Sequence, residues 1–282
     1  MTDPLEIGVF ATQLRSHDAD RYLTARFAPK AFRSALTILY TFNSELSRIC
    51  DTVSEPALGE IRLQWWRDML ANEDMSHRTG APLADALMQI IASYELPRPL
   101  LLGMVDARSA DLDGGGFADL QALKAYLFKS DGAVFDLSAH VLGEDNAKVG
   151  KAANAAGVAY GMARLLRNLP RDAAAGRIML PLDLLKRHDV HPEQLLAGKE
   201  DEGLRRLVAE IADEARGSLD EARGLLNAEP RALKGLFAPL ALVQAYLHAA
   251  TQQDREHLHE IADINPLKRF FLLWRAARRG RL

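Results

Sequence analysis

Apolar residues recur at helical spacing along most of this chain, and that periodicity limits the folds open to it. In the segment "AFRSALTILYTFNSELSRICDT", which covers 31–52, the apolar positions share one helical face. Runs of alternating β-branched residues are missing, so we predict no β-strands. The pattern predicts helices over 31–52, 58–71, 82–94, 119–142, 147–169, 203–226, 230–251 and 266–279. The expected fold class is therefore all-α, with antiparallel helices around a central space.

Length and composition fit one folded domain over 1–282, because 48% of the residues are hydrophobic and 26% are charged. The formal net charge of −3 argues against a nucleic-acid partner. Cys50 is the only cysteine, which excludes an internal disulfide and favours a reducing compartment. The N-terminal residues do not resemble a secretory signal, and no stretch of about 18 apolar residues predicts a spanning helix. We therefore expect a cytoplasmic location.

Two segments carry polar residues at four-residue intervals, which place side chains on one face of a helix. If the two helices face each other, carboxylates meet across a cavity and offer oxygen ligands to Mg²⁺. The alternative is that each stripe is a solvated helix surface. The residues are Asn43, Ser47 and Asp51 in the first segment, and Arg164, Asn168 and Asp172 in the second.

Three stretches of the chain resemble the squalene/phytoene synthase family: 20–51, 123–143 and 156–185. The segment "GRIMLP" within the third is similar to the family's Gly-Arg-x-x-Leu-Pro signature. The resemblance implies an isoprenoid-synthase fold around a central cavity. It also implies an enzyme that joins two prenyl diphosphates head to head. In that chemistry two Asp-x-x-x-Asp motifs hold the Mg²⁺ ions that stabilise the diphosphate leaving group.

The chain departs from the family where those metals would bind. The first motif reads Ser47 and Asp51, and the second reads Asn168 and Asp172, so two of four expected carboxylates are missing. Other replacements on the same faces are Ser44, Arg48, Gly161 and Arg164. Neutral ligands and added guanidinium groups disfavour a cluster of divalent cations. Asp51 and Asp172 remain the candidate catalytic and metal-binding residues.

Pro170 lies between the two positions of the second motif. Proline lacks an N–H group and disfavours helical geometry at the residue before it. We therefore expect the helix to end or kink between Asn168 and Asp172.

Several residues match family positions and are expected to line the cavity. Arg167 and Arg177 either bind an anion such as a phosphate group, or pair with Asp51, Asp172 or helix-end carbonyls. The full candidate set for the cavity is Tyr40, Asn43, Ser44, Ser47, Tyr126, Arg164, Arg167, Asn168 and Arg177.

The segment "SEPALGEIRLQWWRDML", over 54–70, resembles degenerate family members that act as mitochondrial complex I assembly factors. The leading hypothesis is a binding or assembly protein without catalysis, with a protein partner in respiratory complex assembly. One alternative is an active, Mg²⁺-dependent prenyltransferase that makes squalene or phytoene from farnesyl or geranylgeranyl diphosphate. Another is a protein that holds a prenyl lipid without turning it over.

The C-terminal stretch "NPLKRFFLLWRAARRGRL" combines aromatic and basic residues in a helical pattern. Its apolar face either packs into the bundle or lies on an anionic membrane, peripheral to the inner membrane surface. Of Trp65 and Trp66, one is expected in the core and the other at a groove or partner. Histidines are expected in turns or at the surface: His188 and His191 before Pro192, and His248, His257 and His259 further on.

Overall fold

In the computed structural model, residues 4–72, 78–252 and 254–282 are described, and most of them are helical. A 3₁₀ turn at Lys30–Phe32 precedes α3, and a π-helical segment at Phe128–Gly132 separates α9 from α10. The α-helices are α1 Pro4–His17, α2 Ala19–Phe27, α3 Arg33–Ser47, α4 Ile49–Thr52, α5 Pro56–Ala71, α6 Pro82–Tyr94, α7 Arg98–Ala107, α8 Ser109–Asp113, α9 Leu120–Leu127, α10 Ala133–Leu142, α11 Ala147–Ala174, α12 Leu182–Arg187, α13 Pro192–Leu196, α14 Glu202–Leu226, α15 Arg231–Leu236, α16 Leu240–Ala250 and α17 Pro266–Arg279.

Local sequence signals explain many of these helix starts. The Asp18 carboxylate accepts a hydrogen bond from the Arg21 backbone N–H at 3.0 Å and caps α2. Asn146 caps α11 in the same way through two backbone N–H groups. Proline occupies the first helical position of α5 and α6, where its missing N–H costs nothing.

Helix α11 lies at the centre of the bundle and packs against α14, α10, α16 and the π-helical segment. Its buried face is rich in alanine and glycine, which lets neighbouring backbones approach closely. A Cβ atom on Gly157 would lie 2.3 Å from the backbone nitrogen of Gly132. The central helix and the π-helical segment therefore cross with no room for a side chain at this point.

The prediction of no strands was wrong. Two short strands, β1 Gly115–Phe117 and β2 Ile178–Pro181, pair in parallel. The Ile178 N–H donates to the Gly114 carbonyl oxygen at 2.8 Å. A glycine-rich loop forms β1, so it carries no β-branched alternation that sequence patterns could detect.

The prediction that the helix ends between Asn168 and Asp172 was wrong, because α11 continues through Pro170 to Ala174; the predicted kink stays a prediction. Pro170 is buried in the helix, and tertiary packing outweighs the local cost of about 3 kcal/mol. Helical backbone hydrogen bonds continue beyond Pro170, since the Ala175 N–H donates to the Arg171 carbonyl oxygen at 3.0 Å. Asn168 and Asp172 therefore share one continuous helix.

Other predicted helices were interrupted rather than missing. The 31–52 helix divides into α3 and α4 at Arg48, and the 230–251 helix divides into α15 and α16 before Leu240. The 119–142 helix contains the π-helical segment. Within the described ranges, no helix combines the length and apolar character needed to cross a bilayer. That residues 1–282 act as one domain stays a prediction.

The two tryptophans divide as expected: Trp66 is 6% exposed in the core, while Trp65 is 42% exposed. His188 lies in the turn that follows α12, and His191 directly precedes α13. The prediction for His257 was wrong, because its side chain is buried and its ring nitrogen lies 3.4 Å from the Glu200 carboxylate. This polar contact explains how a histidine is accommodated there.

Candidate functional site

A cavity of about 320 Å³ opens in the bundle, between the α3–α4 corner, the π-helical segment and α11. Arg269, from the C-terminal helix α17, also lines it. The predicted cavity residues found in its wall are Ser44, Ser47, Asp51, Tyr126, Arg164, Arg167, Asn168, Asp172 and Arg177.

Two predicted cavity residues lie behind this wall. Tyr40 is buried in the core, where its hydroxyl accepts a hydrogen bond from Ser138 at 3.1 Å. Asn43 is also buried, and its side-chain oxygen accepts from Arg108 at 3.2 Å. Both side chains are buried on α3, and neither belongs to the lining of the cavity.

Arg177 links the two carboxylates left in the motifs. Its Nη2 atom donates to Asp172 at 2.8 Å and to Asp51 at 3.0 Å. Arg171 donates to the other oxygen of Asp51. The short turn after α11 makes this possible, since the Arg177 N–H donates to the Asp172 carbonyl at 2.8 Å. We call this arrangement the Arg177 bridge.

The donor set around the Arg177 bridge does not fit a magnesium cluster. Asp51 and Asp172 already bind guanidinium nitrogens, and the Ser47 hydroxyl donates to the Ser44 carbonyl at 3.0 Å. Burial raises the pKa of Asp172, although hydrogen bonding to Arg177 opposes that effect. In the described part of the chain, no three His, Cys, Asp or Glu side chains group as metal ligands.

A second charged cluster surrounds Arg108, which the sequence patterns did not indicate. Its guanidinium donates to Asp111 at 3.1 Å and to the Tyr126 hydroxyl at 2.9 Å. Tyr126 in turn donates to Asp111 at 2.5 Å. Burial, followed by the charge of Asp111, raises the pKa of Tyr126 well above its ordinary value. Tyr126 is thus a hydrogen-bond donor in the cavity wall.

A third cluster centres on Asp131, from the π-helical segment. It accepts hydrogen bonds from Arg21 at 2.8 Å and from Arg164 at 2.9 Å. Burial alone would raise the pKa of Asp131, but the charges of Arg164, Arg21 and Arg108 outweigh it and lower the pKa. Arg164, which we expected to repel metal ions, is therefore held by a carboxylate outside both motifs.

A fourth cluster joins α2, α11, α16 and α17 around Asp20. The hydroxyl groups of Tyr160 and Tyr246 donate to one Asp20 oxygen at 2.9 and 2.8 Å. The Arg269 Nε lies 3.0 Å from the other oxygen. Burial raises the pKa of Asp20 above its ordinary value. Asp263 accepts from both Arg269 at 2.5 Å and Arg167 at 3.2 Å.

Sequence spacing could not reveal most of these contacts. Asp20, Asp131 and Arg269 have partners more than 20 positions away in the chain. Asp111 lies in the glycine-rich stretch "DLDGGGF", a pattern typical of a break between helices.

The amino-acid sequence is similar to those of two kinds of protein, complex I assembly factors and phytoene synthases. Complex I assembly factor 6 of Mus musculus, an "NADH dehydrogenase (ubiquinone) complex I, assembly factor 6", is 26% identical over 93% of this chain and 80% of its own length. A phytoene synthase of Thermus thermophilus is 30% identical over 72% of this chain and 68% of its own length.

Among solved structures, the squalene synthase HpnC from Alicyclobacillus acidocaldarius superposes with a TM-score of 0.76 at 23% identity. The match covers 86% of this chain and 92% of that chain. It confirms the predicted all-α isoprenoid-synthase fold. The sequence profile described as "Squalene/phytoene synthase" matches residues 14–268. On this evidence the chain belongs to the squalene/phytoene synthase family.

Proposed function

We propose that this protein is a binding protein of the complex I assembly-factor type, without head-to-head prenyl transfer. The observation that carries the proposal is the Arg177 bridge, in which one guanidinium engages both Asp51 and Asp172. Loss of a diphosphate leaving group needs cations that stabilise the developing negative charge. The carboxylates that would bind those cations, Asp51 and Asp172, are already paired with the Arg177 guanidinium.

Charge repulsion also argues against a divalent metal ion at Asp51. A divalent ion at Asp51 would have to displace Arg171 and Arg177, or sit beside them. Two unit charges 4 Å apart interact by about 4 kcal/mol at an effective dielectric constant of 20. With only two acidic ligands, little attraction offsets that repulsion.

The assembly role rests on the relatives. The mouse and Bos taurus proteins described as complex I assembly factor 6 align over 93% of this chain at 26% and 27% identity. We infer that the partner is a subunit or assembly intermediate of a respiratory NADH dehydrogenase. The exposed Trp65 of α5 gives one apolar contact point for such a partner.

The first experiment incubates the purified protein with farnesyl and geranylgeranyl diphosphate and Mg²⁺. The phytoene synthase of Thermus thermophilus serves as the positive control. We expect neither pyrophosphate release nor an extractable hydrocarbon. Mg²⁺-dependent formation of a squalene- or phytoene-like product would establish the alternative, an active prenyltransferase.

The second experiment separates assembly from catalysis in the source organism. Deleting the gene should lower the amount of assembled NADH dehydrogenase on native gels, and the wild-type gene should restore it. Genes encoding Asp51→Asn or Asp172→Asn should restore it equally well. Restoration by wild type, but not by variants that accumulate to the wild-type level, would mean that the carboxylates themselves are needed for function. No change on deletion would exclude the assembly role.

We also propose peripheral contact of α17 with the inner membrane surface. Leu267, Phe270 and Phe271 are 80%, 47% and 54% exposed and lie on one face of the helix. The helix contains no acidic residue, and Lys268 and Arg275 lie next to the apolar stripe on one side of it. Aromatic residues beside basic ones are typical of helices that lie on anionic bilayers.

A further inference from the structure

We infer that the exposed face of α5 binds an amphipathic helix of a protein partner, and that the bound helix carries basic residues beside its apolar ones. The inference rests on the proposed assembly function, and it adds which surface holds the partner and what chemistry that surface recognises. Three apolar side chains define the face: Leu58, Ile61 and Trp65. We call them the α5 stripe.

The α5 stripe is exposed although its residues are large and apolar. The three side chains are 47%, 67% and 42% exposed in chain order. They recur at intervals of three and four residues, which places them along one side of the helix over about 10 Å. A different side of α5 is buried in the bundle and includes Leu63, Trp66 and Leu70. The α5 stripe is therefore an apolar surface on a firmly packed helix.

Contacts with other aromatic rings hold Trp65 in place. Its ring lies edge to face against that of Trp66, with 5.0 Å between the ring centres. Trp66 is buried and contacts Phe42 in the same manner at 4.9 Å. A side chain that is already fixed loses little conformational entropy on binding, and tryptophan is enriched among the residues that dominate binding energy. Trp65 is therefore suited to be the central contact of an interface.

An acidic side chain borders the α5 stripe directly. Asp68 lies about two helical turns after Ile61 and therefore on the same side of the helix. Its carboxylate accepts a hydrogen bond from the uncharged Gln64 amide at 2.7 Å. Among the described residues it pairs with no cationic side chain, so its charge is available to a partner.

The other charged groups near the α5 stripe do not balance this charge. Glu60 and Asp106 share a single guanidinium, that of Arg67, at 2.6 and 2.7 Å. On the opposite border, Arg62 donates to the Thr52 hydroxyl at 2.9 Å. The charged residues of α5, its N-cap and its ion pairs are Glu55, Glu60, Asp68, Asp106, Arg62 and Arg67. Carboxylates outnumber guanidinium groups, so the surroundings of the α5 stripe carry a net negative charge.

This charge selects among the possible occupants of the α5 stripe. Lysine or arginine side chains beside an apolar surface complement the excess of carboxylates. A second copy of the same surface would bring like net charges together, and an anionic bilayer would be repelled in the same way. The charge pattern therefore favours a basic segment of a different protein.

The form of the surface favours a helix over an extended peptide. Main-chain groups inside a helix are hydrogen-bonded to one another, so α5 has no free edge to which a strand could be added. Two helices pack instead by fitting the side-chain ridges of one into the grooves of the other. A partner helix with apolar residues at three- and four-residue intervals would cover the α5 stripe and place its basic residues beside Asp68.

The first test measures the binding of two fluorescent model peptides to the full-length protein by anisotropy. Both peptides span about five helical turns and carry leucine on one face. The polar face is lysine in one peptide and glutamate in the other. We expect the lysine peptide to bind, and the glutamate peptide to bind at least tenfold more weakly. Equal binding of the two peptides, or no binding of the lysine peptide, would overturn the inference.

Paired variants locate the surface that binds the lysine peptide. Leu58→Ser with Ile61→Ser should weaken binding about tenfold, because it removes two of the apolar contacts. Leu182→Ser with Leu196→Ser is the matched control on α12 and α13, where the leucines are 40% and 42% exposed, and it should bind like wild type. Thermal unfolding checks that both proteins are folded. A folded α5 variant that binds like the control would overturn the inference.

A charge reversal tests the role of the acidic border. Asp68→Lys should weaken binding of the lysine peptide and strengthen binding of the glutamate peptide. Asp220→Lys makes the same charge change at an exposed position of α14 and should leave both affinities unchanged. The same shift in both variants would show a general effect of net charge and would overturn the role of the α5 stripe.

The natural occupant is identified by photo-crosslinking in the source organism. A benzophenone amino acid replaces Ile61, and the same amino acid in place of Leu182 is the control. We expect an adduct at position 61 with a subunit of NADH dehydrogenase, joined at a helical segment that contains lysine or arginine. An adduct with a second copy of this chain, with lipid or with an acidic segment would overturn the inference.

Failure of the docking surface and failure of the proposed function give different results. Unchanged NADH dehydrogenase after gene deletion would reject the assembly role, while binding of the lysine peptide at the α5 stripe would stand. Full restoration of assembly by the gene for Leu58→Ser with Ile61→Ser would reject the docking surface and leave the assembly role standing.

Discussion

The guanidinium of Arg21 and the carboxylate of Asp131 lie 2.8 Å apart, although 110 positions separate them in the chain. Both side chains are buried, with exposed fractions of 1% and 6%. The pair joins α2 to the π-helical segment, and Arg164 shares the same oxygen of Asp131. Asp131 therefore holds two arginines in the interior next to the cavity.

Replacing this carboxylate should destabilise the fold strongly. Asp131→Asn leaves two guanidinium groups without their counter-charge in the interior, and we expect a loss of about 3 kcal/mol in unfolding free energy. Urea unfolding followed by circular dichroism measures it. Asp220→Asn, at a position whose carboxylate is 74% exposed, is the surface control and should change stability little. A loss for Asp131→Asn as small as for the control would contradict this role.

The same pair should give the protein an acid-sensitive contribution to stability. The folded protein lowers the pKa of Asp131, while an unfolded aspartate titrates near 3.9. The contribution is therefore complete above pH about 4 and is lost as the pH falls through the lower folded pKa. The difference in stability between wild type and Asp131→Asn should shrink below pH about 4. A difference that stays constant or grows on acidification would be inconsistent with a lowered pKa.

Gly157 should tolerate no side chain. Its added Cβ would meet the backbone of Gly132 at 2.3 and 2.4 Å, so α11 or the π-helical segment would have to shift. We expect Gly157→Ala to lose about 1–3 kcal/mol. Gly150→Ala, in the same helix, meets only an Asp136 oxygen at 4.0 Å and should be neutral or gain about 0.5–1 kcal/mol. Chemical unfolding of both variants makes the comparison, and equal stabilities would contradict the close crossing.

Restoring the two missing carboxylates should create affinity for divalent cations. Ser47→Asp with Asn168→Asp adds two acidic ligands to a wall that already contains Asp51 and Asp172. We expect measurable Mn²⁺ binding by electron paramagnetic resonance, and weaker binding in wild type. The double variant Ser47→Asn with Asn168→Ser changes both positions without adding charge and is the control. Equal metal binding by all three proteins would count against the charge argument.

The exposed face of α17 should be required for contact with anionic vesicles. Phe270→Ser with Phe271→Ser removes two exposed aromatic side chains, which should weaken binding to phosphatidylglycerol vesicles at least tenfold. Leu58→Ser with Ile61→Ser, on the exposed face of α5, is the matched control and should leave binding unchanged. Vesicle co-sedimentation measures both, with phosphatidylcholine vesicles as the uncharged comparison. Similar losses in the two double variants would exclude a specific role for α17.

The sequence predicts the features that depend on residues close together in the chain, and it misses those that depend on residues far apart in the chain. Helical periodicity located the long amphipathic segments, because a helix such as α14 buries one continuous stripe that includes Leu204, Leu207 and Ile211. The local preference of proline to end a helix gave a wrong helix end near Pro170, where burial in the bundle overrides that preference. The strand at 115–117 also depends on a partner strand, in which Ile178 pairs with Gly115 from 63 positions further along the chain.

The residues of the candidate cavity show the same difference between local and long-range contacts. Residues on α3, α4 and α11 could be placed on a common wall because spacing defines a helix face. The pairing of Asp131 with Arg21, or of Asp20 with Arg269, joins segments whose relative positions only the folded chain sets. Family resemblance could indicate which positions had changed, but not that Arg177 lies between Asp51 and Asp172.

The Arg177 bridge has a consequence for how the cavity responds to its surroundings. A metal ion exchanges with solution, so chelators, competing ions and nutrient limitation can strip it from a site. Arg177 and Arg171 are covalent parts of the chain and cannot exchange with solution. The positive charge next to Asp51 is therefore built in during translation and persists when cellular magnesium becomes scarce.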